Sequence, residues 1–137
     1  KYQDTRVTYG DWLLQRPFVP MHRGFANLAY KTKGKNRWTF DLTAQYVGVQ
    51  RLPLIRFNSP VPLPRNSQPY VNMLGQVSKF FSKSMEVYLG GENLLNFRPL
   101  VPIVMAQDPS SPYFDAARVW GPIFGRMIYA GFRWEMK

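Results

Sequence analysis

The sequence predicts an all-β chain: an antiparallel, up-and-down sheet whose strands alternate like the wall of a transmembrane β-barrel. Three observations predict it. The 12 prolines fall only at Pro17 and Pro20, from Pro53 to Pro69, and from Pro99 to Pro122. Proline cannot donate to a β-ladder, so these stretches mark loops between paired segments. Two further joints, 33–36 and 82–84, are short and polar, so the connections run long, short, long, short, long. One rim of tight turns opposite one rim of large loops is the asymmetry of outer-membrane barrels. The third observation is a period-two alternation of apolar and polar side chains between the loops.

The segments follow in order, about six in all. Lys1 to Trp12 alternates weakly and is read as one strand. Phe25 to Thr32 places Ala26, Leu28 and Tyr30 on one side. Arg37 to Tyr46 is cleanest, with Trp38, Phe40, Leu42, Ala44 and Tyr46 on one parity and Arg37, Thr39, Asp41, Thr43 and Gln45 on the other. Trp38 to Tyr46 spans about 26 Å along a strand, or about 20 Å across a bilayer at a typical tilt. Tyr70 to Phe81 aligns Val71, Met73, Gly75, Val77 and Phe81 with Lys79, whose ammonium can snorkel from a strand end. Met85, Val87, Leu89 and Gly91 oppose Glu86, Tyr88 and Glu92. The last strand places Ile128, Ala130, Phe132, Trp134 and Met136 together. The lipid-facing set is therefore Trp38, Phe40, Leu42, Tyr46, Phe132 and Trp134. Tyr30, Trp38, Phe81 and Trp134 gather beside the short turns or the C-terminus as an aromatic girdle. Polar residues such as Thr39, Gln45, Asn72 and Gln76 face the lumen. A soluble β-sandwich that buries the same parity satisfies the alternation equally, and both architectures stay open at this point.

Composition narrows the classes. The 137 residues are 45% hydrophobic, contain no cysteine, and carry 18 Lys+Arg against 8 Asp+Glu for a net charge of +10. A disulfide scaffold, a Cys-ligated zinc module and an acidic disordered tail are excluded. No window of about 18 apolar residues exists, so no membrane-spanning helix is expected, which leaves β-strand spans untouched. The chain opens at Lys1 without an initiator Met or an apolar signal region, and is read as part of a longer or processed product.

Particular residues carry a resemblance. Residues 88–97 read Tyr88-Leu89-Gly90-Gly91-Glu92-Asn93-Leu94-Leu95-Asn96-Phe97, followed by Pro102-Ile103 and Tyr113-Phe114-Asp115-Ala116. Gly121-Pro122, Gly125-Arg126, Tyr129 and Gly131 mark the closing strand. This resembles the C-terminal end of TonB-dependent outer-membrane receptors, with an E-N-L-x-N strand end, a long loop and a G-P-x-x-G-R-x-x-Y-x-G closing strand. Arg23 to Leu28 and Gln50 to Pro53 are similar to strand ends of the same group. The resemblance implies a plugged barrel of about 22 strands, of which residues 1–137 supply the C-terminal strands, with the plug and upstream strands absent. It implies active import of a scarce nutrient, powered by the TonB system through that plug. The implied partners are outer-membrane lipid, lipopolysaccharide, the missing plug and strands, and a surface lipoprotein. Tyr129, Gly131, Trp134 and Met136 resemble the barrel-assembly signal, with Met136-Lys137 in place of a terminal aromatic.

Candidate ligand-binding residues lie in the long loops: Arg56, Asn58, Arg65, Asn66, Tyr113, Asp115 and Arg118. No enzyme is expected. His22 is a single histidine, the carboxylates are scattered, and Gly90-Gly91 lacks the Lys and Ser/Thr of a phosphate loop. No metal or other cofactor is expected. The basic run Lys31, Lys33, Lys35 and Arg37 suits a solvated hairpin turn. The alternative of a different class is a small soluble basic β-barrel that binds nucleic acid or another polyanion. The strand-parity placement of the aromatics beside aliphatic residues argues against base stacking.

If the Trp38–Tyr46 parity faces lipid, Leu42→Arg costs about 2–4 kcal/mol near the bilayer midplane and Thr43→Arg much less. Folding titrations in lipid check this, and equal tolerance at the two positions refutes the parity.

Overall fold

The computed structural model describes residues 6–9, 12–53 and 63–136. Within them the chain is all-β, with seven strands and no helix. The strands are β1 (Arg6–Tyr9), β2 (Trp12–Gln15), β3 (Arg23–Lys31), β4 (Trp38–Val47), β5 (Tyr70–Phe80), β6 (Met85–Glu92) and β7 (Met127–Trp134). β3 to β7 form one five-stranded antiparallel sheet in chain order, so every connection joins neighbours. Of the single strand expected over 1–12, residues 1–5, 10 and 11 lie outside the described residues, and the rest belongs to a hairpin in which Tyr9 pairs with Trp12 and Arg6 with Gln15. In the sequence the dipeptide Gly10-Asp11 is a hairpin-turn signal.

The chain divides into two compact units. One comprises Gly24–Tyr46, Val71–Phe97 and Phe124–Lys137, and is the sheet unit. The other comprises Lys1–Arg23, Val47–Tyr70 and Arg98–Ile123, and is built from the β1–β2 hairpin and the long connections.

Register assigns the two faces of the sheet. Directly opposed residues in an antiparallel ladder share a face. Gly75 opposes Gly91, Val77 opposes Leu89 and Lys79 opposes Val87, while Val87 opposes Phe132 and Met85 opposes Trp134. The Tyr30 and Phe40 rings lie 6.3 Å apart, Trp38 stacks on Phe40 at 6.2 Å, and Lys79 Nζ stands 4.6 Å over the Trp38 ring. One parity therefore runs unbroken from Tyr30 to Trp134. The opposite face carries Asn27, whose Nδ2 donates to Asp41 Oδ1 at 3.1 Å and Thr43 Oγ1 at 2.9 Å. It also carries Gln76, Ser78, Glu86, Tyr129 and Arg133, with Phe25 as an exposed apolar exception.

The apolar face is open, and the polar face is buried only in places, its Asn27, Asp41, Gln45, Tyr129 and Arg133 being exposed as well. Leu28 and Phe132 are 70% and 72% exposed on the apolar face, while Ser78 and Glu86 on the polar face are 2% and 8% exposed. Among the described residues the buried hydrophobics are Leu52, Val104 and Trp120, all in the other unit.

Two tyrosines fix the β6–β7 pairing. Tyr88 opposes Gly131 and Gly90 opposes Tyr129, so each ring lies over the glycine across the ladder, and the two rings meet edge-on at 6.4 Å. A Cβ on either glycine would enter the facing ring. The Tyr129 hydroxyl also donates to Gln76 Oε1 at 3.3 Å, so the ring bridges β7 toward β5.

In the second unit the backbone is tied by short bridges: Pro20 with Gln50, Arg51 with Asn66, and Val104 with Asp115. Gln50 sits at their centre. Its N–H donates to Ser67 Oγ at 2.9 Å, its carbonyl accepts from Ser67 N at 2.8 Å, and its Nε2 donates to Trp120 O at 3.4 Å. These bonds satisfy the polar groups that accompany Leu52 and Trp120 into the interior.

Gly131→Val forces the Tyr88 ring aside and is expected to cost about 1–3 kcal/mol. Ala130→Val, one residue along and on the open face, is expected to stay within about 0.5 kcal/mol. Folding titrations of the two variants check the contrast.

Candidate functional site

The apolar face holds a shallow cavity of about 510 Å³ that crosses all five strands of the sheet. Gly75 and Gly91, opposed across the ladder, lower its floor, and Leu28, Phe40, Leu42 and Leu89 contribute to its walls. Leu94 folds from the end of β6 over both glycines, and a Cβ at Gly91 would collide with it. The walls are mostly aliphatic and aromatic side chains, which suit hydrocarbon, with Asp41 and Gln76 also in the lining.

The residues that turn the chain out of β6 form a clasp. Asn93 and Asn96 take left-handed backbone conformations, φ 49° and 55°, a region asparagine tolerates better than most residues. Asn93 is buried; its Oδ1 accepts from Phe97 N at 2.9 Å, and its Nδ2 donates to Phe97 O at 2.8 Å and Phe124 O at 3.1 Å. Arg126 answers from the start of β7: its Nε donates to Leu94 O at 3.0 Å and its backbone N–H to Asn96 Oδ1 at 3.0 Å. The E-N-L-x-N and G-R portions of the sequence pattern are thus the two halves of one hydrogen-bonded joint that closes the neck of the connection 93–126.

The loop candidates separate by burial. Arg56 and Asn58 lie outside the described residues. Arg65 and Asn66 are exposed, and their segment pairs through its backbone with Arg51 and Leu52. Tyr113 is exposed, its backbone N–H bonded to Ser111 Oγ at 3.2 Å. Asp115 uses its Oδ1 to accept from Ala117 N at 2.7 Å, which orders its own turn.

Arg118 departs from its expected place in an open ligand site. It is 5% exposed, and its Nη2 donates to Pro64 O at 2.6 Å, tying the third proline stretch to the second. Burial pushes its pKa below the ordinary arginine value, and the Asp115 carboxylate opposes that shift. Its Nε is buried without a hydrogen-bond partner among the described residues.

The lipid-face candidates Trp38, Phe40, Leu42, Tyr46, Phe132 and Trp134 are all exposed and share the apolar parity. Of the four assembly-signal positions, Tyr129 and Gly131 lie on the polar face, Trp134 on the apolar face, and Met136 beyond β7. Among the described residues no three His, Asp or Glu side chains gather as metal ligands.

No family model, no curated protein and no solved structure matches this chain.

Asn93→Ala removes three part-buried hydrogen bonds to the backbone of Phe97 and Phe124, so it is expected to cost about 2–3 kcal/mol. Asn96→Ala removes one and is expected to cost about 1 kcal/mol. Stability titrations rank the two variants, and faster proteolysis within 97–124 in Asn93→Ala places the damage at the neck.

Proposed function

We propose that this chain is a wall segment of an outer-membrane active transporter, a TonB-dependent receptor importing a scarce nutrient. The observation that carries the membrane part of this reading is the open apolar face of the five-stranded sheet. A sandwich core would cover that face, whereas lipid hydrocarbon is the solvent that an uncovered face of Leu, Phe, Val and Trp requires. The polar face with its buried Ser78 and Glu86 then lines the lumen, where the Asn27–Asp41–Thr43 cluster meets a plug or water.

Transport is supported by the pattern in residues 88–131, which resembles the C-terminal end of such receptors. On this reading the second unit lies outside the cell. Its exposed Arg65, Asn66 and Tyr113 contribute to ligand capture there, and Arg118 holds two of its segments together. Energy reaches the barrel through the plug and the TonB system.

The competing reading is a soluble basic β-barrel that holds a polyanion, and it draws on the net charge of +10. Detergent separates the two. A lipid-facing belt makes the protein depend on amphiphile, and a monodisperse folded product without detergent favours the polyanion binder.

In cells making the full-length protein, Ser110→Cys is expected to react with a membrane-impermeant thiol reagent from outside. Lys83→Cys is expected to react only after the outer membrane is permeabilised. Preferential labelling at position 83 of intact cells inverts the orientation.

A further inference from the structure

Within the sheet unit the cations are not spread evenly. The β3–β4 turn carries Lys33 and Lys35, both exposed, between Lys31 and Arg37. The next turn of the same edge carries Lys83. That these ends lie together is fixed by backbone bonds from Phe80 N to Arg37 O at 2.9 Å and from Glu135 N to Ser84 O at 2.9 Å. Of the nearby carboxylates, Glu86 is occupied by Arg133 Nη1 at 3.2 Å and belongs to the polar face, and Glu135 follows the end of β7.

Lys79 is the decisive residue. It is the one charged side chain on the apolar parity of β3–β7 among the described residues. Its ammonium turns to the short-turn edge, donating to Asn36 O at 3.4 Å and standing 4.6 Å over the Trp38 ring. An ammonium above an indole, next to two turn lysines and directly beside an apolar face, places positive charge where the headgroup of a lipid would sit while its chains run along that face.

We infer that the short-turn edge is a binding site for an anionic phospholipid of the adjoining leaflet. Lys33, Lys35 and Lys79 hold its phosphate, Trp38 marks the interfacial depth, and the apolar face with its glycine-floored trough takes the acyl chains. Charge complementarity selects an anionic over a zwitterionic headgroup, because each lysine near the surface adds attraction only where the lipid carries net negative charge. The inference rests on the membrane reading above and adds a headgroup class and a named site to it.

The test reconstitutes the full-length protein into phosphatidylcholine vesicles that contain brominated phosphatidylglycerol or brominated phosphatidylcholine. Quenching of Trp38 fluorescence is obtained by subtracting a Trp38→Phe variant. Stronger quenching by the anionic lipid is expected, and the preference should fall about fivefold for each of Lys33→Gln and Lys35→Gln. Lys33→Arg and Lys35→Arg should keep it. Both sites are exposed turn positions, so folding is preserved, and protease protection of the strands verifies insertion.

Equal quenching by the two lipids in an inserted protein overturns the inference and leaves the membrane reading standing. Competition by inorganic phosphate at the same phosphate concentration assigns the site to a free anion and also overturns it. Adsorption to anionic vesicles that salt reverses, without strand protection, overturns both readings.

Discussion

Side-chain parity in an uninterrupted antiparallel ladder is the constraint on which the rest depends. Once Gly75 pairs with Gly91 and Val87 with Phe132, no residue of β5, β6 or β7 is free to choose a face. Shifting β6 by a single residue would carry Glu86 to the side of Phe132 and Trp134, and shifting β7 would carry Arg133 to the side of Val87 and Leu89. The Tyr88–Gly131 and Gly90–Tyr129 pairs oppose such a slip, because each ring has room only above a glycine. Two tyrosines on the polar face therefore protect the chemistry of the apolar one.

Much of the architecture was legible in the sequence because period two is a local signal. The Trp38–Tyr46 parity, the joints at 33–36 and 82–84 and the confinement of proline needed only neighbouring residues to be read. The hairpin at Arg6–Gln15 was hidden because strands of four residues hold two alternations each, too few to stand above noise, and the turn dipeptide Gly10-Asp11 was the signal that could have found it. Register was not legible, since nothing local says that Tyr88 faces Gly131.

The loop candidates show a different limit. A charged residue in a proline-rich loop reads as exposed, and Arg65 is exposed, yet Arg118 lies inside its unit because the Pro64 carbonyl, remote in sequence, offers it a partner. Proline stretches lack backbone donors but keep their carbonyls, so an arginine supplies the missing donors. The clasp at Asn93 is the same kind of case. Its motif was visible as a pattern, and its meaning as a joint appears only when Phe124 and Arg126 are brought beside it in space.

That joint sets how the chain between its halves can change. Arg126 is fastened to Leu94 and Asn96 whatever runs between them, so the intervening segment is attached at its neck and its length enters the stability only through a slowly growing closure entropy. Insertions and deletions there leave the strand ends in place. A wall built on such necks can hold its own structure constant while its outer surface diversifies, and recognition can evolve separately from the scaffold that bears it.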